Sequence, residues 1–539
     1  MKALFVPVSF ATFGCKLNQL ETEALSDAFQ REGFPVTRGG PDMPLLCIIN
    51  TCTVTSKAEQ KARRVIRQYL QAGSLVLVTG CYAQLEREAL EKLGKKTSAV
   101  KGKNSSGALF VFPGQGKEKL LDFPHYLAVE LNAINKKSRD LKSQLSKIIL
   151  NFLMQSREER KEGRKNLKIS NPSLRTQRSL REEKTENFPV AVSESSRNPF
   201  SFNPEHFSFH SRAFLKIQDG CDFSCAYCRV PLARGKSISI ESQEALDRLK
   251  ALEAAGMAEA VLTGVNICQY SDPGDPLRRL PGLLRFLLDN TTAIAIRLSS
   301  IEPDTHGIRQ SDMFPCTQDT ILCNTNCNTT YGEDFFAVLS HRRIRNHFHL
   351  SVQSGSDSVL AAMGRKYRAD DIVWMVEKLR AIRDDPFIAC DMITGFPGET
   401  DEDFEKTAAL CRKLDFAWIH AFPYSKRPGT GAAEIKKGLV SEKTAGERLK
   451  TLVGMAKIGK KGYIQRWQGK VVDAAAEAAP FPDSSVDDFS PFFPALTDNY
   501  IKVCVPSGKK VMPGRAFKCR IGKPDLSQGA RFDAWAELL

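Results

Sequence analysis

The sequence contains no run of about 18 consecutive apolar residues, which excludes a hydrophobic membrane-spanning helix. Its first residues, "MKALFVPVSFATFGCKLNQ", lack both a basic n-region and a small-residue cleavage site. They read as a strand and its loop and not as a signal peptide. A full set of disulfides is also missing its last partner, because 15 cysteines is an odd number. In a large chain that reads as unsecreted, cysteines point to metal or redox chemistry and to a reducing cytoplasm. At 539 residues the chain is too long for one core, and three domains are expected. What is present is globular, with 42% hydrophobic and 26% charged residues. A formal net charge of +15 suggests a polyanionic partner, most plausibly nucleic acid.

Residues 1–135 alternate apolar runs with stretches of helical periodicity. "LFVPVSFATFG" precedes "NQLETEALSDAFQREGF", "LLCIINTC" precedes "SKAEQKARRVIRQYLQAG", and "SLVLVTGC" precedes "YAQLEREALEKLG". Repeated strand–helix units imply an α/β domain with a doubly wound parallel sheet. Each of these strands runs into a cysteine: Cys15, Cys52 and Cys81. Carboxyl ends of such strands share the edge where ligands bind, so three thiols there can converge on one metal cluster. The plainer alternative is three buried small hydrophobes, which suits Cys47 inside its strand better than cysteines just past strand ends.

Residues 136–185 carry 15 Lys+Arg against 6 Asp+Glu, interrupted by one apolar patch, "IILNFLM". We read 136–205 as a basic insertion or linker, partly helical. It could touch RNA phosphates, but a solvated charged linker is the commoner outcome.

From 206 to 455 the alternation resumes in "RAFLKIQDG", "EAVLTGVNI", "AIAIRLSSIEP", "HFHLSVQSGSD", "FIACDMITGFPGE" and "FAWIHAFPYS". Six strands with helices between them suggest a partial (βα) barrel with its site at the strand ends. "CDFSCAYC" follows the first of these strands and offers Cys221, Cys225 and Cys228. No fourth cysteine or histidine follows closely, which disfavours zinc, while three thiolates on one loop suit three irons of a [4Fe–4S] cube. The Cys-x3-Cys-x2-Cys pattern on the first loop of such a barrel strongly resembles the radical S-adenosylmethionine (SAM) enzymes. That resemblance implies a fourth iron that binds the amino and carboxylate groups of SAM, and an electron that cleaves SAM to a 5′-deoxyadenosyl radical. It also implies a SAM shell: Tyr227 against the adenine, Thr263 and Gly264 at the amino group, and Ser299, Glu302, Gln353, Ser354 and Gly355 near the ribose. Gly395 and Glu399 fall in "DMITGFPGET", on the strand that would border the adenine.

The layout narrows the resemblance further. "TFGCKLNQLETEAL", "NTCTVT", "TGCYAQ" and "HFHLSVQSGSDSVLAAMGRKY" are similar to methylthiotransferases that act on N6-threonylcarbamoyladenosine, 3′ of a tRNA anticodon. The isopentenyl-adenosine branch usually has Gln-Met-Asn where this chain has "KLN", and the branch acting on a ribosomal-protein aspartate is a weaker match. A non-catalytic two-cluster electron-transfer or RNA-binding protein is the remote alternative. The family implies a second [4Fe–4S] cluster, here on Cys15, Cys52 and Cys81. It further implies two SAM, an electron donor of flavodoxin or ferredoxin type, and a sulfur donor.

Two regions, 136–185 and 303–335, depart from the family. Residues 303–335 add Cys316, Cys323 and Cys327 at spacings that match no firm metal template, so a polar insertion is expected. At the C-terminus, 467–539, alternating β-prone runs suggest a small β-barrel, which by resemblance is an RNA-carrying TRAM domain. Residues 471–500 hold six acids and no Lys or Arg, whereas 502–523 hold seven Lys+Arg and no acids. Lys502, Lys509, Lys510, Arg515, Lys518 and Arg520 are thus the candidate RNA contacts, with a solvated charged hairpin as the plain alternative.

Overall fold

The structure is a computed structural model that describes residues 6–39, 44–99, 107–133, 140–169, 198–205, 212–303, 333–477, 492–506, 512–525 and 531–539. Cys316, Cys323 and Cys327, and with them most of 303–335, lie outside these residues. The chain forms two compact units, Met1–Ser208 with Val230–Gly235, and Phe209–Arg229 with Lys236–Leu539.

In the first unit the strands are β1 (Val8–Thr12), β2 (Val36–Thr37), β3 (Leu46–Thr51), β4 (Leu75–Gly80) and β5 (Ala108–Val111). They pair in the order β2-β1-β3-β4-β5, all parallel. β3 and β4 are buried throughout, as strands covered on both faces must be, which explains their unbroken apolar runs. The crossovers are α1 (Lys16–Arg31), α2 (Ser56–Gln71), α3 (Cys81–Leu85) and α4 (Arg87–Ala99). Thr55 starts α2 by accepting the Ala58 N–H at 3.1 Å. Then come α5 (Phe123–Ala133) and α6 (Leu141–Ile169), the latter formed by the basic stretch. Its apolar patch is covered on one side: Ile148, Ile149, Phe152 and Leu153 are buried while Leu150 and Met154 are exposed, and Phe152 meets Phe123 with ring centroids 4.9 Å apart. α7 (Val230–Arg234) completes the unit.

The second unit begins with β6 (Ala213–Lys216), the short antiparallel pair β7 (Gln218–Asp219) and β8 (Ile238–Ser239), β9 (Glu259–Thr263) and β10 (Ala295–Leu298). β11 (His347–Gln353), β12 (Phe387–Thr394) and β13 (Trp418–Pro423) follow. Parallel sheets β10-β9-β6 and β11-β12-β13 are joined by parallel bridges Ile296↔Ile344 and Ile301↔Leu350. The six strands read from the sequence therefore form one arc, the partial barrel. Five more strands, β14 (Val471–Ala476), β15 (Phe492–Thr497), β16 (Lys502–Pro506), β17 (Ala516–Pro524) and β18 (Ala534–Leu538), close a small barrel in the order β14-β15-β16-β18-β17. No helix among the described residues is long and apolar enough to cross a membrane.

The two barrels share a buried ionic floor. Arg297, fully buried, grips Glu259 with Nε and Nη2 at 2.9 Å each and donates to the Thr497 and Asp498 carbonyls at 3.1 Å. Arg345 Nε lies 2.9 Å from the same carboxylate, and the Tyr500 ring stacks on His347 at 3.9 Å. Burial alone would raise the Glu259 carboxyl from its ordinary 4.5, but Arg297 and Arg345 hold it down at about 2. Its folded value lies below its unfolded one, so its stabilisation is complete above pH 4.5 and is lost as the pH falls towards 2. Replacing Arg297 by Leu should lower the unfolding free energy by about 3 kcal/mol at neutral pH, because it leaves the buried Glu259 carboxylate with Arg345 alone as its close cation and takes a donor from the Thr497 and Asp498 carbonyls. Urea denaturation of the variant beside the parent protein measures this.

Candidate functional site: two cysteine triads

Parallel pairing brings Cys15, Cys52 and Cys81 to one sheet edge. Cys15 is the N-cap of α1, Cys52 follows β3 directly, and Cys81 opens α3 after β4. Cys15 is exposed while Cys52 and Cys81 are 5% and 9% exposed, so the triad spans the boundary with solvent. The Cys52 thiol is pushed up to about 12, first by burial and then by Cys15, with Cys81 adding and Arg234 opposing. Gly14 makes this packing possible: a Cβ there would lie 2.7 Å from Cys52 Cβ, and its φ of +120° suits glycine.

Asn18 ties the loops together, donating to the Phe13 carbonyl at 2.8 Å and the Thr51 carbonyl at 3.1 Å. Its Oδ1 accepts from Arg234 Nη2 at 2.8 Å, and Arg234 Nη1 lies 3.1 Å from Glu21 Oε1. Lys117 Nζ pairs with the other oxygen of Glu21, which is wholly buried. A buried network of two cations and one carboxylate thus lies beside the triad. "KLN" drew attention to Asn18 by resemblance, but nothing local marks Arg234, 213 residues from Glu21.

On the partial barrel, Cys221, Cys225 and Cys228 sit on the loop after β7, each half-buried. The loop is clamped from both sides: Ala226 N–H donates to the Met363 carbonyl at 2.9 Å, and Ala226 C=O accepts from Ala432 at 2.7 Å. Asp222 caps Ser237 N–H at 3.0 Å. Burial pushes the Cys221 thiol up to about 11, with Cys225 and Glu302 contributing. Cys47, Cys390, Cys411 and Cys519 are buried, unlike the half-buried Cys221, Cys225 and Cys228. Among the described residues no three Cys, His, Asp or Glu side chains gather tightly enough for a single metal ion. A cube offers separate irons to separate thiolates, and thiols are the donor type that both triads present.

Arg365, which the sequence reading overlooked, anchors this site. Its Nη1 lies 3.1 Å from Cys225 Sγ, its Nη2 2.7 Å from Glu302 Oε1, and its Nε 2.9 Å from the Tyr367 hydroxyl. Tyr367 in turn donates to the Val352 carbonyl at 3.1 Å. Tyr227 packs with Ile393, Phe396 and Tyr424, and its phenol is raised well above 10, by burial first. At the ends of β9 and β10, the buried Asn266 Nδ2 and Ser299 Oγ have no hydrogen-bond partner among the described residues. Such orphaned polar atoms beside Thr263, Gly264 and Glu302 suit a polar ligand such as SAM. Gly264 is needed because a Cβ would meet Gln218 Oε1 at 2.8 Å, and that same oxygen accepts Asn266 N–H at 2.9 Å.

Other residues expected in the SAM shell have structural partners. Ser354 Oγ lies 3.2 Å from the Thr407 hydroxyl, which also accepts Gly355 N–H at 2.9 Å. Gln353 adopts φ 67° as β11 ends. Glu399 accepts Gly395 N–H at 2.6 Å and is bound by Arg448 at 2.5 Å, so it shapes the turn after β12. In the small barrel, Lys518 lies 3.2 Å from Asp473 and Arg520 donates to the Gly469 carbonyl at 3.1 Å. Arg515 donates to the Gly256 carbonyl at 3.2 Å, and Lys502 is exposed. Lys509 and Lys510 lie outside the described residues.

Family comparison agrees with this architecture. The Radical SAM superfamily matches residues 215–411, and "Uncharacterized protein family UPF0004" matches residues 7–102. "Threonylcarbamoyladenosine tRNA methylthiotransferase MtaB" of Treponema pallidum (strain Nichols) is 38% identical over 484 residues, covering 87% of this chain and 91% of that protein. Proteins of the same name match from Thermotoga maritima, at 30% identity over 87% of this chain and 86% of theirs, and from Bacillus subtilis (strain 168), at 29% over 96% and 94%. Fold and site define a radical SAM enzyme that uses SAM and [4Fe–4S] chemistry. The chain belongs to the radical SAM methylthiotransferase family, on the branch of the threonylcarbamoyladenosine tRNA methylthiotransferases, and acts on tRNA.

Gly14→Ala should displace Cys52 without unfolding the unit. Iron bound on anaerobic reconstitution is expected to fall to roughly half, the share of one cube of two. Iron counting with circular dichroism of the same sample reads both quantities.

Proposed function

We propose that this enzyme places a methylthio group on C2 of N6-threonylcarbamoyladenosine beside the tRNA anticodon, with two [4Fe–4S] clusters. The observation that carries this is the pair of cysteine triads, one at the carboxyl edge of the parallel sheet β2-β1-β3-β4-β5 and one on the single loop after β7. Cys15, Cys52 and Cys81 would hold the sulfur-bearing cluster, and Cys221, Cys225 and Cys228 the cluster that meets SAM, each leaving one iron without a protein ligand. When bound, the clusters and SAM supply the radical and the sulfur required by an adenine C2–H, which is neither acidic nor electrophilic. Arg365 fixes Cys225 and aims Glu302, while Asn266, Ser299, Thr263 and Gly264 present polar groups at the strand ends. Tyr227 offers an apolar face, packed from behind by Phe396 and Tyr424. Gln353, Ser354, Gly355, Gly395 and Glu399 hold the turns that frame this pocket. The exposed Lys502, with Lys509 and Lys510, would meet tRNA phosphates. The reading places the enzyme in the cytoplasm, served by an electron donor of flavodoxin or ferredoxin type and by a sulfur donor.

Changing Cys15, Cys52 and Cys81 together to Ala should leave about one cube per chain, retain SAM cleavage and abolish the methylthio product. Mass spectrometry of tRNA nucleosides from cells with and without the protein identifies the N6 substituent. A folded triple variant that still yields product would remove these cysteines from the mechanism. Neutralising Lys502, Lys509 and Lys510 together should weaken tRNA binding and flatten its salt dependence by about three phosphate contacts. Fluorescence anisotropy with labelled tRNA across a salt series checks this.

A further inference from the structure

The concave face of the partial barrel carries a polar cluster that neither triad uses. His349 on β11, Asp391 on β12 and His420 on β13 come from three successive strands of one sheet. His349 Nε2 lies 3.4 Å from Asp391 Oδ1, and the two imidazole centroids are 5.2 Å apart. Their alternation with the buried Phe348, Leu350 and Cys390 puts these side chains on the face opposite the one those residues bury. Ser300, just beyond β10, completes the cluster with its hydroxyl 2.6 Å from His349 Nδ1.

The cluster lies one side-chain layer below the cysteine loop. Ile393, two residues beyond Asp391, packs against the same apolar cluster as Tyr227, and the main-chain carbonyl of Ser351, two beyond His349, accepts the Tyr367 hydroxyl. One such layer is about 7 Å along a strand, so a planar base resting on His349 and Asp391 would put its upper edge at Tyr227 and Arg365. Solvent reaches this face: His420 is exposed and Phe422 is 44% exposed, an aromatic wall suited to stacking a base.

Hydrogen-bond chemistry sets what the cluster offers. The Trp418 indole N–H can only donate, and it lies 3.2 Å from His420 Nδ1, so the proton of neutral His420 is on Nε2. A Ser300 hydroxyl donating to His349 Nδ1 likewise leaves the His349 proton on Nε2. That N–H lies 3.4 Å from Asp391 Oδ1 without hydrogen-bond alignment and has no hydrogen-bond partner among the described residues. The ring nitrogens that flank C2 of adenine are acceptors, and they are what such a donor fits. We propose that His349, oriented by Ser300 and Asp391, donates through Nε2 to a ring nitrogen beside C2 of the target adenine, making the barrel lumen the base pocket. This deepens the adenosine reading above and rests on it.

The test uses the full-length, reconstituted enzyme and an anticodon stem-loop RNA bearing N6-threonylcarbamoyladenosine. His349→Ala should raise the 5′-deoxyadenosine released per methylthio product roughly tenfold or more, the loss expected of one hydrogen bond with a buried partner. His349→Gln, whose amide nitrogen reaches the Nε2 position, should restore most of that coupling. Asp391→Asn and Phe422→Ala should raise KM for the RNA, and they serve if the alanine variant binds no iron. Wild-type coupling and KM in all variants, with product still formed, would overturn the base pocket alone. A wild-type enzyme that forms no methylthioadenosine from this RNA would overturn the substrate reading and the pocket with it.

Discussion

In each of the two units the α/β strands run parallel to their neighbours, so each carboxyl end opens on a single edge. Three cysteines at 15, 52 and 81 come to one sheet edge because β1, β3 and β4 are adjacent and in register, with Thr12 beside Asn50 and Thr51 beside Gly80. The other triad needs less from the sheet, since one loop carries all three thiols. What it takes from the fold is the clamp on that loop and the polar strand ends around it. Antiparallel pairing would have sent neighbouring strand ends to opposite edges and dispersed the first triad.

Both triads are backed by arginine. Arg365 touches Cys225 directly, and the charge of Arg234 lowers the Cys52 pKa. A thiolate-ligated cluster is anionic in a partly dehydrated site, and a guanidinium cannot lose its charge there. Each arginine is also locked by a buried carboxylate, Glu302 or Glu21, so the cation cannot swing away. These are positioning groups whose cost of burial is offset by pairing, and their rigidity suits a cofactor that must be held without distortion.

The small C-terminal barrel shows how folding redistributes charge. Its acidic and basic stretches are separate in sequence, yet Asp473 sits opposite Lys518 across the β14–β17 pair. Arg515 and Arg520 likewise spend donors on backbone carbonyls. The basic face left for a polyanion is therefore smaller than the composition of 502–523 implies. Firm seating of this barrel comes from a neutralised floor, Glu259 with Arg297 and Arg345, and from Tyr500 against His347.

Local pattern makes much of this architecture legible in the sequence. The six barrel strands and the three strands that end in cysteines announce themselves as apolar runs bounded by turn residues, because strand formation depends on local pattern. "CDFSCAYC" is legible for the same reason: its ligand spacing lies within eight residues of chain. Partnerships across long separations are not legible. Arg365 with Cys225, Arg234 with Asn18, Glu399 with Arg448, and the His349–Asp391–His420 cluster join residues drawn from different elements. Chain order carries no record of such contacts, because strand order and sheet curvature set them. Sequence alone determined which thiols are available and on which strand ends they fall. Tertiary structure decided which cations, hydroxyls and imidazoles face them, since only packing brings distant side chains within hydrogen-bond reach.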